Sequence, residues 1–287
     1  MHITAENPYA TYNIINNDNH YQQGERYMST KIDYAKIPGH WLLASLGKTV
    51  LRPGGLNLTK SMLQQLQITK DDHVVEFAPG LGVTARLTLQ HDPNYIAIEQ
   101  NEEAATKVRS YLSGERQQCH IGTAEKTGLP DNCATIVYGE AMLTMQSAKQ
   151  KDNIISEAKR ILKPGGKYAI HEMSLTPSVI TDNVRDNIRK DLVDAIRVNA
   201  TPLLEEEWKA ALEAHGFEIN YVEKVPMHLL HPKRLIEDEG ILGVAKIIKN
   251  VAINPGARKR VLKMRSTFMK YEPYTQGICL VATLKEK

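Results

Sequence analysis

From His73 onward the chain alternates between two hydrophobic periods, and this limits its possible folds more than any other feature. "HVVEFA" is an apolar run of strand length, "VTARLTLQ" a helix-like run, "NYIAIE" a second strand and "NEEAATKVRSYL" a second helix. "QCHIG" and "TIVYG" read as third and fourth strands. "QKDNIISEAKRIL" is a helix with an apolar stripe of Ile154, Ile155, Ala158, Ile161 and Leu162, closed by "KPGG" before a fifth strand, "KYAIHEM". Strands separated by helices at this spacing build βαβ units, because parallel neighbours need a long crossover. "FEINYVEKV" and "GICLVATLK" read as two further, antiparallel strands, with about fifty residues of helical, basic character between them. The expected fold class is α/β: a Rossmann-like, mostly parallel seven-stranded sheet with helices on both faces.

The rest of the chain surrounds that core. Residues 1–30 show no period, and 31–69 are helical apart from a break at "RPGG". "LRPGG" and "LKPGG" are each read as a helix end followed by a turn. The expected organisation is an N-terminal helical arm or lid over 1–70 and a core over 71–287, with a helical insertion at about 225–274. No apolar run reaches membrane-spanning length, and the N-terminus lacks the basic start and apolar core of a signal peptide. Cys119, Cys133 and Cys279 are far apart and lack metal-ligand spacing, so reduced thiols, no metal site and a cytoplasmic location are expected. The net charge of +3 is too small to imply a nucleic-acid partner. The charge is uneven, however: residues 241–269 contain no acid and carry Lys246, Lys249, Arg258, Lys259, Arg260, Lys263 and Arg265. A solvated helical face is the default reading of that stretch; an anionic acceptor or a membrane surface is the alternative.

The small-residue turn after the first strand points to a ligand. "GLGVTA" follows the spacing of a dinucleotide fingerprint, and Glu99 ends the second strand some twenty residues beyond Gly80, where a carboxylate can accept both hydroxyls of an adenosine ribose. NAD and S-adenosylmethionine both satisfy this much. Glu76, inside the first strand, favours the second: a pyrophosphate would be repelled there and an ammonium attracted.

These motifs, in this order, resemble the core of the class I S-adenosylmethionine-dependent methyltransferases, in particular the small-molecule branch that includes quinone and sterol methyltransferases. The resemblance covers residues 73–173: "VVEFAPGLG" for the first motif, "YIAIEQN" for the acidic end of strand two, "GTAEKTGLPDNCATIVYGEAML" for the third and fourth strands, and "AKRILKPGGKYAIHEMS" for the helix end and strand five. It departs at Ala78, where the family usually has glycine; a positive φ there would cost stability. The resemblance implies that Glu76 and the backbone at Ala78, Gly80 and Gly82 hold the methionine end of S-adenosylmethionine. Glu99 would take the ribose, Gln100 would flank the adenine, and Thr123, Ala124 and Glu125 would line it. Glu140 would face the methyl donor. Plainer alternatives exist: Thr123 and Glu125 as turn caps, and Glu140 as an ordinary exposed carboxylate.

The expected reaction is in-line methyl transfer to a small, partly hydrophobic or anionic acceptor, with peripheral membrane contact as a further possibility. A base is needed only if the nucleophile must lose a proton. His171, near the end of strand five, is the candidate catalytic residue, with a structural histidine as the alternative. His40 and Trp41 are candidates to close over the cofactor, and His228 and His231 to line the acceptor pocket. The competing functions are a nicotinamide-dependent oxidoreductase and a non-catalytic S-adenosylmethionine-binding module. "YGEAML" after strand four is not the Asn/Asp-Pro-Pro-Tyr motif of amino-group nucleic-acid methyltransferases. No feature sets an oligomeric state.

Overall fold

Among the described residues, eight strands join in one sheet. They are β1 (His73–Phe77), β2 (Asn94–Glu99), β3 (Gln117–Ile121), β4 (Ala134–Glu140), β5 (Leu162–Leu175), β6 (Leu203–Leu204), β7 (Phe217–Pro226) and β8 (Thr275–Leu284). The structure, a computed structural model, describes Tyr34 and residues 36–286. The arm expected over residues 1–30 lies outside the described residues.

The strand order is β3-β2-β1-β4-β5-β8-β7, with β6 paired to β5. β1 to β5 run parallel, and β8 lies antiparallel between β5 and β7. The mostly parallel sheet is as expected, and the extra strand is a two-residue pairing too short to leave a sequence pattern. β1 has β2 on one side and β4 on the other, so the crossovers diverge there and open a crevice at the carboxyl ends of these strands.

Side chains alternate across the sheet, and each face is covered by helices. On one face, Ile154, Ile155 and Ala158 of α5 (Ala148–Ile161) and Trp208 and Leu212 of α7 (Glu205–Glu213) pack with Val75, Phe77 and Val137. On the other, Leu58 and Met62 of α2 (Gly55–Leu66) and Ala105 and Val108 of α4 (Glu102–Arg109) pack with Val74, Ala97 and Ala169. A third cluster joins Leu42 and Leu43 of α1 (Gly39–Ser45), Ile188 and Leu192 of α6 (Asp182–Ile196), and Met264 and Phe268 of α9 (Pro255–Lys270). α3 (Val83–Thr88) follows the turn after β1, and α8 (Pro232–Ile253) precedes α9. Ser147 and Gln150 form a capping box on α5, and prolines open α8 and α9, where the missing N–H costs nothing.

Two local expectations change. β5 starts at Leu162, so "KPGG" lies inside the strand. The pairing shifts between Ala134 and Ile136, and Gly165 supplies a φ of +75° for the irregularity. "LRPGG" does not end a helix: α1 stops at Ser45, and Gly55 begins α2. Residues 46–54 instead form a strap between the two helices, and its Arg52, Pro53 and Gly54 are buried.

Candidate functional site

The turn after β1 is built from three left-handed residues: Ala78 (φ +51°), Gly80 (φ +56°) and Gly82 (φ +71°). The Ala78 N–H donates to the Ile98 carbonyl at 2.9 Å, which fixes the turn to β2. A Cβ on Gly80 would meet nothing within 4 Å, so the turn presents open space at that residue. A Cβ on Gly82 would lie 2.8 Å from the Tyr111 ring, so that glycine is needed for packing as well as conformation. The Gly80 N–H donates to Glu99 Oε2 at 3.0 Å, and the Asn101 N–H donates to Oε1 at 2.9 Å. Each oxygen keeps a lone pair for a further donor. Burial raises the Glu99 carboxyl against the pull of these backbone bonds.

Gln100 is exposed beside Glu99, and Ile121, the register partner of Glu99 at the end of β3, is 48% exposed. The cluster after β3 is partly a turn: the Lys126 N–H donates to the Thr123 carbonyl at 3.1 Å. Thr123 is exposed and Ala124 half-buried. Glu125 accepts from Gln150 Nε2 (3.2 Å) and Asn153 Nδ2 (3.1 Å) of α5. These two bonds tie the turn to the helix behind it.

Glu76 sits on the α2/α4 face of the sheet and is 3% exposed. The Tyr95 and Tyr138 hydroxyls both donate to Oε2, at 2.5 and 2.8 Å, which leaves Oε1 without a hydrogen bond from the described residues. Burial pushes this carboxyl up to about 7, against the two tyrosine hydrogen bonds.

Glu140, at the end of β4, is the centre of a second buried network. It accepts from Thr59 at 2.6 Å, from His171 Nδ1 at 2.8 Å, and from Arg52 and Thr84. Arg52 also donates to Thr84. Burial alone would raise the Glu140 carboxyl; Arg52, His171 and Thr59 together override it and hold the group at about 2. The alternative of an ordinary exposed carboxylate is thereby excluded.

His171 is fully buried. Nδ1 meets Glu140 and Nε2 meets the Pro53 carbonyl, and both partners are acceptors. Both ring nitrogens are thus occupied by protein partners. Through these two contacts His171, the expected catalytic residue, ties the strap to the sheet. Glu172, on the opposite face of β5, accepts from the Met142, Leu143 and Thr144 N–H groups and the Thr144 hydroxyl, and so fixes the loop after β4.

The strap is held from outside by α8. Glu239 accepts from the Thr49 and Val50 N–H groups, each at 2.9 Å, and Asp238 accepts from the Leu56 N–H at 3.0 Å. Lys48, 1% exposed, pairs with both acids. Gly277 has to be glycine where β8 passes beneath: a Cβ there would lie 2.9 Å from the Pro53 backbone. His40 and Trp41 lie on α1, their rings 5.1 Å apart. His228 and His231 stack at 5.0 Å in a shallow, open surface pocket lined by Met227, Leu230, Phe268 and Met269. The Gly54 N–H donates to the Met227 carbonyl at 3.1 Å, so the strap abuts that pocket.

Residues 75–170 match the family described as a methyltransferase domain. The chain is 35% identical over 235 residues to an uncharacterized protein of Haemophilus influenzae, a match covering 80% of this chain and 91% of that protein. It is 29% identical over 168 residues to the sterol 24-C-methyltransferase of Neurospora crassa, covering 55% of this chain and 43% of that enzyme. In three dimensions it is similar to a Haemonchus contortus phosphoethanolamine N-methyltransferase solved with S-adenosyl-L-methionine: TM-score 0.63 at 18% identity, over 86% of this chain and 56% of that one. The chain belongs to the class I S-adenosylmethionine-dependent methyltransferases.

Sequence reading of this methyltransferase missed Arg52, Thr59 and Thr84, the residues that surround Glu140. Arg52 lies in a Pro-Gly-Gly segment with no strand beside it, and the two threonines sit among ordinary helix residues. Only the folding of α2, α3 and the strap onto β4 brings them together. Among the described residues there is no group of three His, Cys, Asp or Glu residues that could hold a metal, and no helix is long and apolar enough to cross a membrane.

Proposed function

We propose that this methyltransferase holds its cofactor across the carboxyl ends of β1, β2 and β4 and methylates a small acceptor with apolar bulk. The observation that carries the site is the pairing of an open left-handed turn at Gly80 with a buried carboxylate, Glu99, clamped by that turn's own N–H. In this assignment Glu99 accepts the ribose hydroxyls through its remaining lone pairs. Gln100 and Ile121 flank the adenine, with Thr123 and Ala124 beside them and Glu125 supporting the loop from behind. Ala78, Gly80 and Gly82 keep the backbone low beneath the methionine end. Glu76 offers its unbonded Oε1 to the ammonium, a charge-assisted contact. Arg52, locked by Glu140, supplies positive charge at the same end for a carboxylate.

S-adenosylmethionine, when bound, supplies a methyl group already activated on a sulfonium. The chain's task is thus to align the acceptor and exclude water, and positioning of this kind can supply several kcal/mol. The strap, α1 and the α8–α9 insertion form the cover, with residues 1–70 and about 225–274 as lid and 71–287 as core. His171 and Glu140 act as positioning residues that set the strap. Met227, Leu230 and Phe268 support an acceptor with hydrophobic bulk, as does similarity to a sterol methyltransferase. A reducing, cytoplasmic setting suits the free Cys119, Cys133 and Cys279.

Calorimetric titration with S-adenosylmethionine, S-adenosylhomocysteine and NADH tests the site. The first two should bind and NADH should not. Glu99→Ala should weaken S-adenosylmethionine by about 2 kcal/mol, roughly thirtyfold, as expected for lost hydrogen bonds to a charged group. Unchanged affinity in that variant would overturn the assignment.

A further inference from the structure

We propose that the outward face of α8 beyond Gly240, with the start of α9, docks on an anionic lipid bilayer. Gly240 has φ 70° and ψ 170°, which breaks α8 and gives residues 241–253 an orientation of their own. This segment is apolar on both sides. Its inner side buries Ile247, with Val244 and Val251 half-buried. Its outer side leaves Ile241 76%, Leu242 86%, Ile248 63% and Ile253 64% exposed. A helix apolar all round is normally buried all round, so the outer face calls for a covering partner.

Charge selects that partner. Lys246 and Lys249 interleave with the exposed apolar residues, and Arg258 and Lys259 follow at the start of α9. None of these four forms an ion pair among the described residues, and residues 241–269 contain no acid at all. A second copy would bring the same positive face against itself across a two-fold axis, and like charge opposes that contact. The first 33 residues of the chain are rich in Asn, Gln and other polar side chains, a poor match for four large aliphatic ones. A bilayer with anionic headgroups satisfies both requirements: aliphatic side chains enter the headgroup boundary while lysine stems lie along the surface and their ammoniums meet lipid charge. Glu239, which clamps the strap over the candidate site, immediately precedes Gly240, so docking here would bring the cover of the site to the membrane surface.

The inference stands apart from the cofactor assignment, and the test separates them. The full chain is sedimented with vesicles of phosphatidylcholine alone and with vesicles that also contain phosphatidylserine. Binding should require phosphatidylserine and weaken with salt. The Lys246→Glu/Lys249→Glu pair and the Ile241→Gln/Leu242→Gln pair should each weaken partitioning by at least ~10-fold, with S-adenosylmethionine affinity unchanged. In Leu242→Trp, the added fluorescence should be that of an exposed indole and should shift to the blue on adding anionic vesicles. Failure to bind these vesicles, with cofactor affinity intact, would overturn the docking face and leave the methyltransferase assignment standing. An added indole signal that is already blue-shifted in the vesicle-free Leu242→Trp variant would also overturn it, giving the face to the chain's own N-terminal segment or to a second copy.

Discussion

Glu76 and Glu140 lie on neighbouring strands, both buried, yet their surroundings drive them in opposite directions. Glu76 pairs in register with Tyr138, two residues before Glu140. Around Glu76 are two phenols, neutral donors that soften the cost of burial without cancelling it, and its carboxyl rises to about 7. Around Glu140 are Arg52, His171 and two threonines, and its carboxyl falls to about 2. Burial is common to both; the identity of the donors decides the sign. Glu140 is thus a fixed charge that organises its surroundings, whereas Glu76 is held at an energetic cost, which a cationic ligand would relieve.

The largest effect expected from this contrast is at Glu140. Glu140→Gln leaves the Arg52 guanidinium buried without its counter-charge and should destabilise the protein by about 3–5 kcal/mol in urea unfolding at neutral pH. The double variant Arg52→Met/Glu140→Met removes both charges and should cost clearly less than the single one. If the single variant costs under ~1 kcal/mol, the strap is able to swing Arg52 into water and the network is not a fixed one.

Glu76→Gln should have the opposite sign. Its carboxyl lies at 4.5 in the reference state and about 7 in the folded protein, so between those values the folded chain holds the extra proton. Stability from this group is then full below pH 4.5 and is lost as pH rises to 7. Gln keeps an oxygen for the two tyrosines and carries no charge. The variant should match wild type near pH 4.5 and exceed it by about 3 kcal/mol at pH 8, while binding S-adenosylmethionine less tightly. Equal stabilities at pH 8 would mean that Glu76 is well solvated in the free protein.

The same contrast explains what could be read from the sequence. The Glu76 side of the site comes from one continuous stretch: strand, turn, helix and the next strand end. Period, small residues and one carboxylate some twenty positions on were enough to place Glu76, Gly80, Gly82 and Glu99 around one crevice. The Glu140 side draws on the strap, α2, α3 and β5, and its partners are separated by up to 118 residues, as in the His171–Pro53 contact. No local pattern records such a meeting. "LRPGG" misled because Pro-Gly-Gly usually closes a helix, whereas here tight packing against Val225 and β8 makes it a strap. The sequence puts His171 near the carboxyl end of the fifth strand, but its partners fix its role, and residue type does not reveal them. The stretch 241–269 is legible as helical and acid-free, but the break at Gly240, which turns its apolar face outward, is not.

The smallest expected effect is at Ala78, where the sequence departs from the family. Its φ of +51° is left-handed and is imposed by the Ala78 N–H bond to Ile98 and the Gly82 N–H bond to the Pro79 carbonyl, both 2.9 Å. An L-residue there costs roughly 1–2 kcal/mol. Ala78→Gly removes that cost but frees the unfolded chain by roughly 0.4–1 kcal/mol and gives up a methyl group that is only half-buried. The net gain should be about 0.5 kcal/mol in thermal unfolding, with S-adenosylmethionine affinity unchanged, because the backbone already follows the path glycine prefers. A loss of affinity would show that the methyl group itself stiffens the turn for the ligand, and would give the Ala78 departure a binding role in place of a stability cost.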